Sequence, residues 1–148
     1  NATFIRDSDV TAAAADTAYS ITYDAPTGNS RIDRDATNNE RIVFDEAGEY
    51  LISFTAQIAS SSASTVNFYF WPAVNGVNQT GSTMVNALHQ NDATLVVSRS
   101  AIFDLSANDY LEVKWAVDST NGRLDATAAT AFSPSSPSTT LVITRIHE

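Results

Sequence analysis

In "YLISFTAQI", residues 50 to 58, every even position is apolar (Tyr50, Ile52, Phe54, Ala56, Ile58), while Ser53, Thr55 and Gln57 are polar and Leu51 is the exception. Successive side chains of an extended chain point to opposite faces, so a period of two marks a strand with one buried and one wet face. "YLEVKWAV", residues 110 to 117, repeats the pattern: Leu111, Val113, Trp115 and Val117 oppose Tyr110, Glu112, Lys114 and Ala116. A slip of one residue would turn either apolar set out to water, which fixes the register of both. Nowhere does a 3.6-residue apolar period persist over helical length. Further β-rich runs at residues 2 to 6, 19 to 23, 41 to 44, 94 to 103 and 139 to 146 bring the expected strands to eight or so. The segment "VTAAAADTA" behind Asp9 suits a helical turn or an irregular course equally. The predicted fold is all-β, two antiparallel sheets in a sandwich or jelly roll.

"VNFYFWPAV", residues 66 to 74, breaks the alternation, because Phe68 and Phe70 lie opposite Tyr69 and Trp71. Both faces of this strand call for a cover, either a subunit interface or a long loop. Pro72 lacks a ladder donor and favours an edge position, and Val74-Asn75-Gly76-Val77 reads as a hairpin turn just beyond it. "SSSAS" and "SPSSPS" have loop composition and lie between strands, so residues 1–148 form one domain, with 1–15 a candidate extended N-terminal arm.

The chemistry available is sparse. Seventeen acidic against eight basic residues give a formal charge of -9, with Lys114 the one lysine and the arginines scattered. Nucleic acid and anionic membranes, which select basic patches, are therefore not expected partners. Without cysteine there is neither a disulfide nor a thiolate metal site. His89 and His147 stand far apart with no carboxylate at ligand spacing, and no nucleophile elbow, P-loop or dinucleotide-binding glycine pattern occurs. The acidic groups "RDSD" and "RIDRD" are interleaved with arginine, which favours a solvated ion-pair surface over a calcium cage. No catalytic residue, metal or cofactor is expected.

The densest acidic group, Asp45, Glu46 and Glu49 in "RIVFDEAGEYLISFTAQI", has a counterpart elsewhere. "FDEAGEYLISF" and "FDLSANDYLEVKW" share Phe-Asp, a short turn, an acid, and Tyr-Leu opening an alternating strand. Gly48 and Asn108 suit a positive φ, and Asp side chains can accept from turn amides. Two equivalent turns point to architecture rather than to two active sites, and these carboxylates are expected at an exposed strand entry.

Taken in order, "IVFDEAGEYLISFTAQI", "VNFYFWPAVNGV", "FDLSANDYLEVKWAV" and "SPSTTLVITRI" resemble the jelly-roll domain of the complement globular head and tumour necrosis factor superfamily. Asn108 stands where that family usually has a second glycine. "VNGV", "NDYLEVKWAVDSTNGRLDA" and the Pro-Ser-Pro segment before "LVITRI" further resemble bacteriophage virion proteins of this fold, over roughly residues 15 to 148. The resemblance implies a homotrimer and a structural role on the virion, either decorating or cementing the capsid shell or forming the knob of a fibre or spike that binds a host-surface receptor or glycan. With no heptad, collagen-like or β-helix repeat to build a shaft, the expectation is a capsid decoration protein whose partners are itself and the major capsid protein. Tyr69, Trp71 and Trp115 are the candidate interface aromatics, although Trp115 shares a face with Val113 and Val117 and equally suits the protomer core. Thr3, Phe4 and Ile5 are the candidate capsid-contact arm, with a simple first strand the alternative. Two readings from other classes are a carbohydrate-active enzyme and a secreted cellular ligand of the same superfamily.

Overall fold

A computed structural model describes residues 1–24, 27–28, 31–89, 91 and 93–147. Among the described residues there is no helix, and the strands in chain order are β1 (Ala2–Arg6), β2 (Val10–Thr11), β3 (Tyr19–Ser20), β4 (Thr27–Gly28), β5 (Ile32–Arg34), β6 (Ile42–Phe44), β7 (Gly48–Ser60), β8 (Val66–Val74), β9 (Val77–Asn78), β10 (Met84–Leu88), β11 (Thr94–Leu105), β12 (Tyr110–Val117), β13 (Gly122–Leu124) and β14 (Thr139–His147). They form two antiparallel sheets. In the first, β11, β7, β14, β1 and β4 lie side by side, and β13, carrying β2, takes over from β14 along the same edge of β7. In the second the order is β10, β8, β12, β6, β5, with β9 also on β8 and β3 on β12. The chain passes repeatedly between the sheets, from β6 through β8 and from β10 through β13 among other places, as a jelly roll does.

The alternating segments sit as their pattern requires. Even positions of β7 and odd positions of β12 point between the sheets, where Trp115, Tyr50, Phe4, Phe44 and Phe68 are almost fully enclosed. Phe54 of the first sheet meets Phe70 of the second at 5.4 Å between ring centroids, and Phe44 meets Tyr50 edge-on at 4.7 Å.

Several expectations change in detail. The 19–23 run pairs as a strand only at Tyr19–Ser20, though the Ile21 amide continues the contact by donating to the Val113 carbonyl. β4, β5, β10 and β13 were not foreseen, because strands of two to five residues need show no strict alternation. "VTAAAADTA" starts as β2 and then turns, with Asp16 at φ 53°. Of the two expectations for Thr3, Phe4 and Ile5, the structure has the simple first strand: β1 pairs along its whole length with β14, and Phe4 is 0% exposed. Burying Phe4 ties the segment into its own protomer, leaving Thr3 and Ile5 on the outward face. Trp115 is likewise 0% exposed and has no surface to offer a neighbouring subunit.

Pro72 lies inside the second sheet, between β12 and the β9–β10 side. On that side β10 ends opposite Phe70 and β9 begins opposite Ala73, so the proline sits at the break between them. Its position is an edge locally, where no ladder donor is required. The Pro72 carbonyl accepts from Gln79, and Asn75 and Gly76 take φ of 51° and 78°, as the expected two-residue hairpin turn demands.

Candidate functional site

The two similar acidic turns meet. The Asn108 amide donates to the Phe44 carbonyl at 2.7 Å, and the Phe44 amide donates to the Asp109 carbonyl at 3.0 Å. Asp109 accepts from the Ser106 amide and from the Asn75 side chain, both at 2.7 Å, holding the β11–β12 turn to the β8–β9 hairpin. Asp45 and Glu49 are exposed, as expected of a strand entry. Glu46 is not free: its two carboxylate oxygens join Arg31 and Arg145, the latter at 2.6 Å. Its backbone carbonyl accepts from the Tyr50 hydroxyl at 2.7 Å. This cluster ties both sheets together at one end and leaves no carboxylate poised over a cleft.

Elsewhere, polar groups come together in two places. Ser20 donates to Glu112 at 3.0 Å and accepts from Lys114 at 3.1 Å, and Glu112, 7% exposed, also lies 3.9 Å from the Lys114 ammonium. A lysine held beside a carboxylate is a charge partner for it rather than a base for the serine. Thr65 contacts His89 Nδ1 at 2.9 Å on the exposed surface. Among the described residues no three His, Cys, Asp or Glu side chains are grouped to hold a metal ion. The "RDSD" and "RIDRD" groups behave as surface bridges and turn acceptors: Arg6 pairs with Asp24 at 3.5 Å, and Asp9 accepts from the Ala126 amide. Asp35 accepts from the Asn38 and Thr37 amides at 2.7 and 2.8 Å, which hold its carboxyl below the usual aspartate range.

Two surfaces stand out instead. Around Leu51 the outward face of the first sheet has no cover among the described residues. Register places Val142, Ser53 and Ser100 in one row and Thr144, Leu51 and Ile102 in the next, with the Ser53 and Ser100 hydroxyls 2.8 Å apart. Leu51, Val142 and Ile102 are 37%, 38% and 60% exposed, so Leu51, the exception in the alternation, is an apolar group on a hydroxyl-rich outer face. Beside it, at the sandwich edge, β10 and β11 are not joined by a β-ladder. There a crevice of about 70 Å³, lined by Phe54, Phe70, Met84, Phe103, Val113 and the flank of Trp71, has room for part of a side chain rather than for a ligand, and Arg99 of β11 reaches across it to the Ser82 and Thr83 carbonyls.

The second surface is a groove of about 560 Å³ on the outer face of the second sheet. Tyr69, Trp71 and Ala116 form its floor, residues 78–81 and Thr83 one wall, and Asp16 and Ala18 the other. The Trp71 indole donates to Asn78 at 2.9 Å, and the Asp16 amide donates to the Val117 carbonyl at 2.8 Å, so floor and far wall are both pinned. Tyr69 and Trp71 were legible in the sequence as aromatics with nothing to cover them. Their neighbours were not, since Asp16 and Ala18 arrive from far away along the chain with no pattern announcing them.

No family model matches the sequence. No curated protein matches it either. Solved structures do. The globular domain of zebrafish complement 1qA protein superposes with a TM-score of 0.60 at 13% identity, over 98% of this chain and 95% of that one. Murine APRIL superposes with a TM-score of 0.59 at 12% identity, over 98% and 97%. At such identities the likeness is one of fold, and the fold of this chain is the jelly roll of the complement globular head and tumour necrosis factor-like domains.

Proposed function

We propose that this protein is a non-enzymatic structural protein that assembles as a homotrimer and sits on the surface of a bacteriophage virion as a capsid decoration or cement protein. The observation that carries the trimer is the partly exposed apolar group Leu51, Val142 and Ile102 on the outward face of the first sheet, beside the β10–β11 crevice. Two different patches on one protomer pair as a heterologous contact, and such a contact closes into a ring when the rotation allows. Packing the β10–β11 edge of one copy against the Leu51–Ile102 face of the next covers both patches. Three copies is the number that the family resemblance implies. The virion placement is supported by the ordered motifs from "VNGV" to "LVITRI". The tie from Glu46 to two arginines supports a structural role for the acid-rich turn.

Light scattering at micromolar protomer concentration is expected to give a mass near three times 15.9 kDa. A Leu51→Asp, Ile102→Asp double variant is expected to run as a folded monomer. A monomeric parent protein overturns the trimer. Mixing the parent with undecorated shells is expected to give saturable binding. If shells stay bare and the protein coats host cells instead, the fibre or spike knob replaces decoration as its role.

A further inference from the structure

We infer that the groove over Tyr69 and Trp71 is a binding site for neutral saccharides. The two residues lie at i and i+2 on β8, on the same outward face, so both rings line the floor of the groove. The C–H groups on one face of a pyranose are weakly positive and meet the negative face of an aromatic ring favourably. The indole N–H of Trp71 is already engaged by Asn78, which holds the ring in place without a ligand. Ala116 and Ala18 are small, and this leaves depth between the floor and the walls.

The rim supplies what sugar hydroxyls require. Gln79 donates its side-chain N–H to the Val77 carbonyl, which orients its amide oxygen, and Thr80 adds an exposed hydroxyl. Asp16 is exposed and takes part in none of the ion pairs among the described residues. A carboxylate can accept from two adjacent hydroxyls at once.

Charge narrows the ligand class. No arginine or lysine lines the groove, its one charged group is Asp16, and the chain carries a formal charge of -9. The nearest cation, Lys114 opposite Trp71, is turned to Ser20 and Glu112, so sialylated, sulfated and phosphorylated ligands meet repulsion there. Cationic ligands are favoured by aromatic cages, whose rings face one another across the ion, whereas these rings share one strand face. The groove opens on the outer face of the second sheet, away from the Leu51–Ile102 face and bordering the β10–β11 crevice at Trp71, so a trimer would carry three grooves and weak single sites would gain by avidity. The inference goes beyond the proposed function and stands without it, because each protomer carries the complete groove.

The test is an array of neutral oligosaccharides (cello-, malto- and chito-oligosaccharides among them) beside sialylated and sulfated ones, followed by titration of tryptophan fluorescence with the best neutral binder. The expected result is retention of at least one neutral class and a saturable change in emission. Trp71→Ala should weaken binding by about tenfold or more. Ala116→Phe fills the floor while removing no hydrogen bond and should abolish binding, with near-ultraviolet circular dichroism of the parent type showing that it folds. Ala116→Phe, which lies away from the β10–β11 crevice, should keep the mass and shell binding of the parent, which separates failure of the groove from failure of the proposed function. Retention of charged glycans only, no retention of any neutral class, or unchanged affinity in Ala116→Phe overturns the inference. So does displacement of the bound saccharide by tetramethylammonium at equal concentration, which would mark a cation site.

Discussion

Replacing Gly48 by alanine tests the part of the structure where sequence motif, backbone and both sheets meet. Gly48 opens β7 at φ 152°, a region that side chains other than hydrogen rarely adopt. A Cβ there would lie 2.5 Å from the His147 carbonyl oxygen and 2.7 Å from Arg145 Nε. The first of these is backbone of the adjacent strand and cannot swing aside as a side chain can. Backbone strain of about 1–3 kcal/mol adds to about 1–3 kcal/mol for overpacking, so a loss of about 4 kcal/mol is expected. That is a large share of a domain stability of about 5–15 kcal/mol. With a urea slope near about 2 kcal/mol/M the midpoint should fall by about 2 M. Equilibrium urea unfolding at one fixed protomer concentration, read by tryptophan emission and far-ultraviolet circular dichroism, measures it. Asn108, at φ 69° in the sister turn, is the comparison. Asn108→Ala should cost about 1 kcal/mol for the left-handed backbone alone, and Asn108→Gly almost nothing. A Gly48→Ala midpoint indistinguishable from the parent, or a larger loss in Asn108→Ala, would refute the steric reasoning.

Three further outcomes are expected. Burial raises the pKa of Tyr23 well above its ordinary 10.0, so above that pH the unfolded chain loses a proton that the folded one keeps, and stability should decline as pH climbs. Tyr23→Phe should remove that decline and, because the hydroxyl is buried without a partner among the described residues, hold or raise neutral-pH stability by about 1 kcal/mol in urea titrations. Asp35 runs the other way: its lowered pKa gives stability that is present above 3.8 and lost as pH falls through the folded value, and Asp35→Asn should flatten that acid limb. Phe132, 92% exposed at a loop tip, should tolerate serine with a stability change within about 0.5 kcal/mol, and a drop of the Gly48→Ala size would show that it is covered in the assembly.

What the chain determines by itself is local. The period of two in "YLISFTAQI" and "YLEVKWAV" specifies strands, their inner faces and their register, because an extended backbone sends alternate side chains to opposite sides whatever lies beyond. The Asn75-Gly76 turn and the positive φ of Gly48 and Asn108 are equally local, set by which residues tolerate that backbone. The doubled Phe-Asp turn showed that Asp45 and Glu49 stand at a strand entry, but it could not show that Glu46 bridges Arg31 and Arg145. Tertiary pairing alone decided the rest. Only long-range hydrogen bonding between β1 and β14 turned a candidate arm into a core strand, and only the enclosing sheets removed Trp115 from any surface. Leu51 looked like a flaw in the alternation until Ile102 was placed beside it across the β7–β11 ladder. Tyr69 and Trp71 became the floor of a groove because Asp16 and Ala18 arrive on one side of them and residues 78–81 and Thr83 on the other, and contacts made across such distances leave no periodic mark in the chain.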